Sequence, residues 1–342
     1  MKIRSIETIA MSVPVDFGAQ PAAFGQQDNW NSLSTLLLKV ETDTGITGWG
    51  EAFSYNCLQA VKGAVDHMIT PAATGREIGN VTDLTQALQR ELHLFGRYGI
   101  TIFALSGLDI ALWDIVAKSN GVSLAAQIGN VQRTKVQGYA SLFRYQNAEV
   151  VAEQCANALS EGYELIKLHE ITEVEVSAAR EASGDTPLMI DTNCPWTPEQ
   201  AVDMATRLKE YTGVAVAAGE NACTVHEFKK MLQAGAVTYP QPSVTKVGGV
   251  SEFLAVGDLC ESFGVAMMPH SPYFGPGMMA TLQLAAVQKS EPLLERFFGT
   301  VEASLFGKHI DAVDGWFAIP DGPGLGVDPD PDIMREYALK LD

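Results

Sequence analysis

Positive charge is scarce in this chain. Lys and Arg total 23 against 41 Asp and Glu, giving a net charge of −18 and a sequence pI near 4.7. That shortage argues against nucleic acid or an anionic membrane as partner, because neutralising backbone phosphates takes Lys and Arg in excess. An anionic small molecule would equally need a local cation to receive it. Cysteine is sparse and unpatterned: Cys57, Cys155, Cys194, Cys223 and Cys260 are odd in number, with no C-x-x-C. This speaks against a disulfide framework and for reduced thiols in a cytoplasmic protein. No charged-then-apolar leader follows Met1. No uninterrupted apolar segment approaches the ~20 residues of a membrane span. Internal repeats, low-complexity runs and coiled-coil heptads are lacking too.

What is present is a globular composition, with hydrophobic residues at 46% and charged ones at 19% over 342 residues. That length favours two domains. Residues 3–12, 33–41 and 46–51 read as an antiparallel meander, with Asp43-Thr44-Gly45 as a turn. An irregular loop from Asp16 to Asn31, holding Trp30, separates the first two strands. A loop this long in a compact domain is more often functional than idle. Residues 57–120 have helical period, with Val81-Thr82-Asp83 as a capping signal. The first domain, residues 1–125, is thus α+β. The second domain spans residues 126–314; from Val136 short strands alternate in it with amphipathic helices, the strands beginning near 136, 165, 188, 214, 236, 265 and 293. This predicts a β/α barrel one strand short of the usual eight.

The barrel strands share one habit. Each short apolar run ends on an ionisable residue: Leu165-Ile166-Lys167-Leu168-His169, Leu188-Met189-Ile190-Asp191, Val214 to Glu220, Val265 to His270, and Leu293-Leu294-Glu295. Ionisable groups at the carboxyl ends of parallel strands are how a β/α barrel builds an active site. Asp191 and Glu220 offer the hard oxygen ligands that suit Mg²⁺. Lys167 near such an ion would have a lowered pKa and serve as a base, or else pair with Glu164 or Glu170. His169 is either a second proton carrier or a group fixing Lys167. His270, in Pro269-His270-Ser271-Pro272, is expected at the rim, acting from the opposite side. Glu295 is either a protonated donor or the partner of Arg296. Base, metal-bound acid and opposing acid together suggest removal of an α-proton from a carboxylate, with the enediolate held by the cation.

These motifs carry a resemblance. Lys167-x-His169, Asp191-x-Asn193, Ala218-Gly219-Glu220-Asn221, Lys246-Val247-Gly248-Gly249 and Pro269-His270-Ser271 are similar to the mandelate racemase/muconate lactonizing branch of the enolase superfamily. So are Gly48-Trp49-Gly50-Glu51, Asp109-Ile110-Ala111-Leu112-Trp113-Asp114 and the tail from Ile319 to Gly326. The resemblance implies a modified (β/α)₇β barrel under a capping domain completed by residues 315–342. It also implies Mg²⁺ on Asp191 and Glu220, acid/base roles for Lys167 and His270, and a homo-oligomer. Substrate contacts are expected from Trp30, Tyr55, Asn193 and Glu295.

Two departures shape the reading. The family's Glu-Glu-Pro strand, with its middle metal ligand, has no counterpart, since Lys209-Glu210-Tyr211 runs straight into Thr212-Gly213-Val214. Ser243 stands where racemases carry the Asp that supports the barrel His, and His169 stands where many relatives have a second Lys. Dehydration of a sugar acid is therefore expected ahead of epimerisation or cycloisomerisation. A relative that binds acids without turning them over is the other alternative.

Overall fold

The computed structural model describes residues 1–22, 31–170, 172–193, 197, 199–200, 202–203, 215–235 and 237–341. Strands β1 (Ile3–Asp16), β2 (Ser32–Thr42) and β3 (Thr47–Ala52) form the expected meander, in register Ile9 to Leu37 and Leu38 to Gly50. Against it lies the 20-residue Ile100–Ser119 helix. Gly50 lets the two approach, because a Cβ there would overlap the Gly107 carbonyl. This helix has the length and apolarity of a membrane span, yet most of it is buried inside the protein. Its two aspartates explain why a core helix carries charge. Asp109 accepts from Thr85, from the Ser251 backbone and from the Ser251 hydroxyl, and Asp114 accepts from the Trp49 and Leu325 backbones. The helix is thereby pinned to the Gly249–Ser262 helix and to the C-terminal tail.

Further along, β4 (Lys135–Ser141), β5 (Ile166–Leu168) and β6 (Leu188–Ile190) run parallel, and β9 (Leu293–Phe297) flanks β4 on its other side. β7 (Ala217–Ala218) and β8 (Tyr239–Pro240) form a separate parallel pair. Residues 268–270 extend along β8, with Met268 and His270 donating to the carbonyls of Pro240 and Pro242. Among the described residues, no strand pairing joins β6 to β7. The tail first adds β11 (Trp316–Ala318) antiparallel to β4, then returns to β1, where Leu339 donates to Ala10.

Some local expectations needed correction. Asn80, rather than Val81-Thr82-Asp83, caps the Val81–Glu91 helix, its side chain accepting from Asp83. β10 (Thr300–Val301) adds an edge to β1, a pairing across most of the chain with no local sequence signal. The four described cysteines are free.

Glu51 joins the two halves. It is buried at the end of β3, accepts the Gly277 N–H in the first turn of the Pro276–Val287 helix, and burial pushes its carboxyl up to about 7. The unfolded chain ionises near 4.5. Folded-state stability is therefore fully present below that value and declines as pH rises through about 7, by about 3 kcal/mol for such a shift. Glu51→Gln keeps an acceptor for Gly277 without a charge. It should raise the thermal midpoint by several degrees at pH 8, with the gain shrinking toward pH 5. A difference that stays constant with pH in thermal melts would refute this.

Candidate active site

Six of the ionisable groups singled out by the sequence converge at the carboxyl ends of the barrel strands. Lys167, 5% exposed, points from β5 between two carboxylates. Its Nζ lies 3.1 Å from Asp191 Oδ2 and abuts Glu295 of β9. Glu164 and Glu170 are engaged elsewhere, accepting from Gln137 and from the Gln146 backbone. Burial alone would lower the lysine pKa. Glu295 and Asp191 outweigh it and hold the ammonium well above the usual lysine range. Two close carboxylates stabilise the charged form more than burial destabilises it.

His169 differs. Its Nδ1 sits 2.5 Å from the Leu142 carbonyl, which can only accept, so Nδ1 carries the proton. Nε2 then turns its lone pair toward the mouth, 3.5 Å from Asp191 Oδ2. Burial first and the Lys167 charge second push its pKa below the ordinary histidine value, so the ring is neutral near pH 7. Across the mouth, His270 Nε2 lies 3.0 Å from Glu220 Oε2 and 3.7 Å from Glu295 Oε2. Among the described residues its buried Nδ1 has no hydrogen-bond partner. The Ser243 hydroxyl bonds Tyr273.

Glu295 is fully buried. Burial raises its pKa, but Lys167 and then His270 more than offset this, so the group is ionised. The expected pairing with Arg296 does not form: strand alternation sends Arg296 to the other face, where it bonds the Ile310 carbonyl and Asp311. Burial likewise opposes ionisation of Asp191 and Glu220. Lys167 keeps Asp191 low, while His270 and then Lys246 hold Glu220 well below the usual carboxylate range.

Both carboxylates are therefore charged, and each feels the other. Among the described residues no group of three or more His, Cys, Asp or Glu side chains is arranged to hold a metal ion. Two carboxylates nonetheless fit Mg²⁺, which takes one or two protein carboxylates and completes its octahedron with water and substrate oxygens. Asn193, with φ 58°, donates its N–H to Asp191 Oδ1. Tyr55 reaches the His270 loop and donates to the Pro272 carbonyl. Trp30 lies outside the described residues. The sequence reading named Lys246 only within a motif and overlooked Arg144. Lys246 Nζ donates to Asn221 beside Glu220 and lies 4.0 Å over the Phe53 ring.

The family pattern described as Enolase C-terminal domain-like matches residues 150–212 and 207–333. That of the mandelate racemase / muconate lactonizing enzyme N-terminal domain matches 12–129. The chain belongs to the enolase superfamily. The capping domain and (β/α)₇β barrel expected from the motifs are that superfamily's architecture. This superfamily member is 29% identical to a D-galactarolactone cycloisomerase of Agrobacterium fabrum, over 99% of both chains. It is 27% identical to an arabinonate dehydratase of Saccharolobus solfataricus, over 90% of this chain and 91% of the other. L-talarate dehydratase from Polaromonas sp. JS666, solved with Mg and L-glucarate, superposes with a TM-score of 0.82 at 23% identity, covering 99% and 98% of the two chains. The two C-terminal matches overlap at residues 207–212, a stretch whose sequence contains no Glu-Glu-Pro segment. The alignment to the cycloisomerase runs over 384 positions, more than the chain's 342 residues.

Proposed function

We propose that this protein is a Mg²⁺-dependent lyase that dehydrates a sugar acid in the cytoplasm. The observation that carries the reading is the opposition of a neutral imidazole with an outward lone pair, His169, to an imidazole N–H, His270, across a mouth lined by Lys167, Asp191 and Glu220. Asp191 and Glu220 would hold the ion, which when bound supplies Lewis acidity toward the substrate carboxylate. Lys167, held charged, neutralises the same carboxylate and orients the α-carbon. In this arrangement His169 Nε2 takes the α-proton, the role the sequence assigned to Lys167. His270 gives its Nε2 proton to the departing β-hydroxyl. Glu295 lies between Lys167 and His270 and contacts both.

An unsupported imidazole is a poorer base on the return step, which disfavours epimerisation. The likeness to a lactone cycloisomerase favours a second reading, in which the same pair opens a sugar lactone by β-elimination. Incubation with sugar acids in D₂O tests both. A keto-acid product supports dehydration, and recovered substrate that has exchanged its α-hydrogen and inverted refutes it.

Metal binding is a separate expected outcome. Calorimetric titration with Mg²⁺ should show saturable binding that tightens when the acid is present, since the substrate completes the ligand set. Asp191→Asn and Glu220→Gln should each weaken it by at least about tenfold. Binding unaffected by either substitution would place the ion elsewhere.

A further inference from the structure

His169 is held from two directions by one loop, and a buried carboxylate holds that loop. The loop, Leu142-Phe143-Arg144-Tyr145-Gln146, directly follows β4. The Leu142 carbonyl takes the His169 Nδ1 proton at 2.5 Å, and the Leu142 N–H donates to the Lys167 carbonyl at 2.8 Å. Two residues on, Arg144 donates from Nε to the His169 carbonyl at 2.6 Å and from Nη2 to Asn193 Oδ1 at 3.1 Å. Ring and main chain of the histidine are thus both tied to this loop. Phe143 lies between these ties, its ring centroid 6.2 Å from the imidazole.

Glu170, the residue after His169, supplies the hold on the loop. It is 1% exposed, and its Oε1 accepts the backbone N–H of Tyr145 and, at 3.0 Å, that of Gln146. Hydrogen bonds to a carboxylate are among the stronger ones a backbone N–H can make. Gln146 has φ 54°, a left-handed conformation that a residue other than glycine keeps only where its surroundings impose it. The ties are reciprocal: residues 142 and 144 grip 169, and 170 grips 145 and 146. The outer side of the loop is packed as well. Tyr145 donates its hydroxyl to the Phe17 carbonyl at 2.8 Å, and Ala22 donates to the Arg144 carbonyl at 2.7 Å. Phe143 stacks on Phe17 with ring centroids 3.9 Å apart and meets Phe297 at 4.8 Å.

We propose, resting on the role given to His169 above, that Glu170 is a positioning residue for proton abstraction. By fixing the loop it keeps the His169 proton on Nδ1, under the Leu142 carbonyl, and the Nε2 lone pair aimed at the mouth. It acts through Leu142 and Arg144. Freeing Tyr145 and Gln146 lets both ties move, and a displacement of about 1 Å at a reacting group costs roughly 10²-fold in rate.

Two readouts on the full chain test this. The first sets the rate of α-hydrogen loss from sugar acids in D₂O with Mg²⁺, galactarate and D-galactonate among them, against their calorimetric affinity. The second is ¹⁵N NMR of the histidine rings, with the His169 signal assigned by its loss in His169→Gln. Glu170→Ala should slow α-hydrogen loss by about 10- to 100-fold with affinity unchanged, and His169 should no longer show a single Nδ1-protonated tautomer. Glu170→Gln, which keeps an acceptor oxygen for both N–H groups, should recover most of the rate and the tautomer. If Glu170→Ala does not fold, Glu170→Asp, which draws the carboxylate back by one methylene, carries the same expectation. A rate and tautomer unchanged by removing the carboxylate overturn the proposal. So does an equal loss of rate and affinity that Glu170→Gln fails to rescue, which would make Glu170 a support of the fold alone. A wild type that removes no α-hydrogen from any sugar acid, with a tautomer that still depends on Glu170, supports the positioning and overturns dehydration.

Discussion

His169→Gln is expected to reduce α-hydrogen exchange by about 10³-fold, the usual worth of a positioned general base, while leaving binding of the acid intact. Lys167→Met should do the reverse in kind, weakening acid binding first and slowing exchange as a consequence. The contrast follows from charge state. Lys167 is flanked by Asp191 and Glu295, which raise its pKa and favour the charged ammonium. His169 has its proton fixed on Nδ1 by the Leu142 carbonyl and a lone pair on Nε2. Glutamine retains a donor toward Leu142 but has no basic nitrogen, which keeps the fold and removes the chemistry. Solvent-exchange rates by NMR, with dissociation constants from calorimetry, separate the two roles. Full exchange by His169→Gln together with none by Lys167→Met would return the base to the lysine, as the sequence first suggested.

That difference marks where sequence reading stops. Lys167, Asp191, Glu220, His270 and Glu295 were all recognisable, because each closes an apolar run and the carboxyl ends of parallel strands face one mouth. Their protonation states were not. The charge on Lys167 depends on Glu295, which reaches it only because β9 pairs with β4 far away in sequence. The partner of Glu295 was misjudged for a related reason. Adjacent residues on a strand point to opposite faces, so Arg296 lies beside it in sequence and away from it in space. Arg144 sits in an irregular loop with neither period nor motif, and only the positions of His169 and Asn193 reveal it. Ser243 in place of Asp was legible as a substitution. That its hydroxyl bonds Tyr273 was not legible, nor that His270 Nδ1 is buried without a hydrogen-bond partner among the described residues.

Inserting a βα unit with a Glu-Glu-Pro strand between Tyr211 and Thr212 is expected to tighten Mg²⁺ binding by roughly two orders of magnitude and to raise the thermal midpoint by several degrees. A third carboxylate replaces a water in the ligand set, and loss of even supporting groups around a metal costs about 10- to 100-fold. The stability gain comes from the edges. β6 ends on Ile190, which is 52% exposed, and Leu188 and Ile190 line an open groove with Val176 and Arg180. Between β6 and β7 the described residues make no strand pairing, whereas a closed barrel pairs every edge. Covering Leu188 and Ile190 with a new strand would contribute about 1.5–3 kcal/mol for each side chain fully buried, and each kcal/mol is worth about 2–4 °C in chains of 150–250 residues, less in a longer one. Differential scanning calorimetry and Mg²⁺ titration of the chimera read the two effects separately. A lower melting temperature with unchanged Mg²⁺ affinity would mean that this chain already closes its barrel by another route, and that Asp191 and Glu220 are the whole of its carboxylate set.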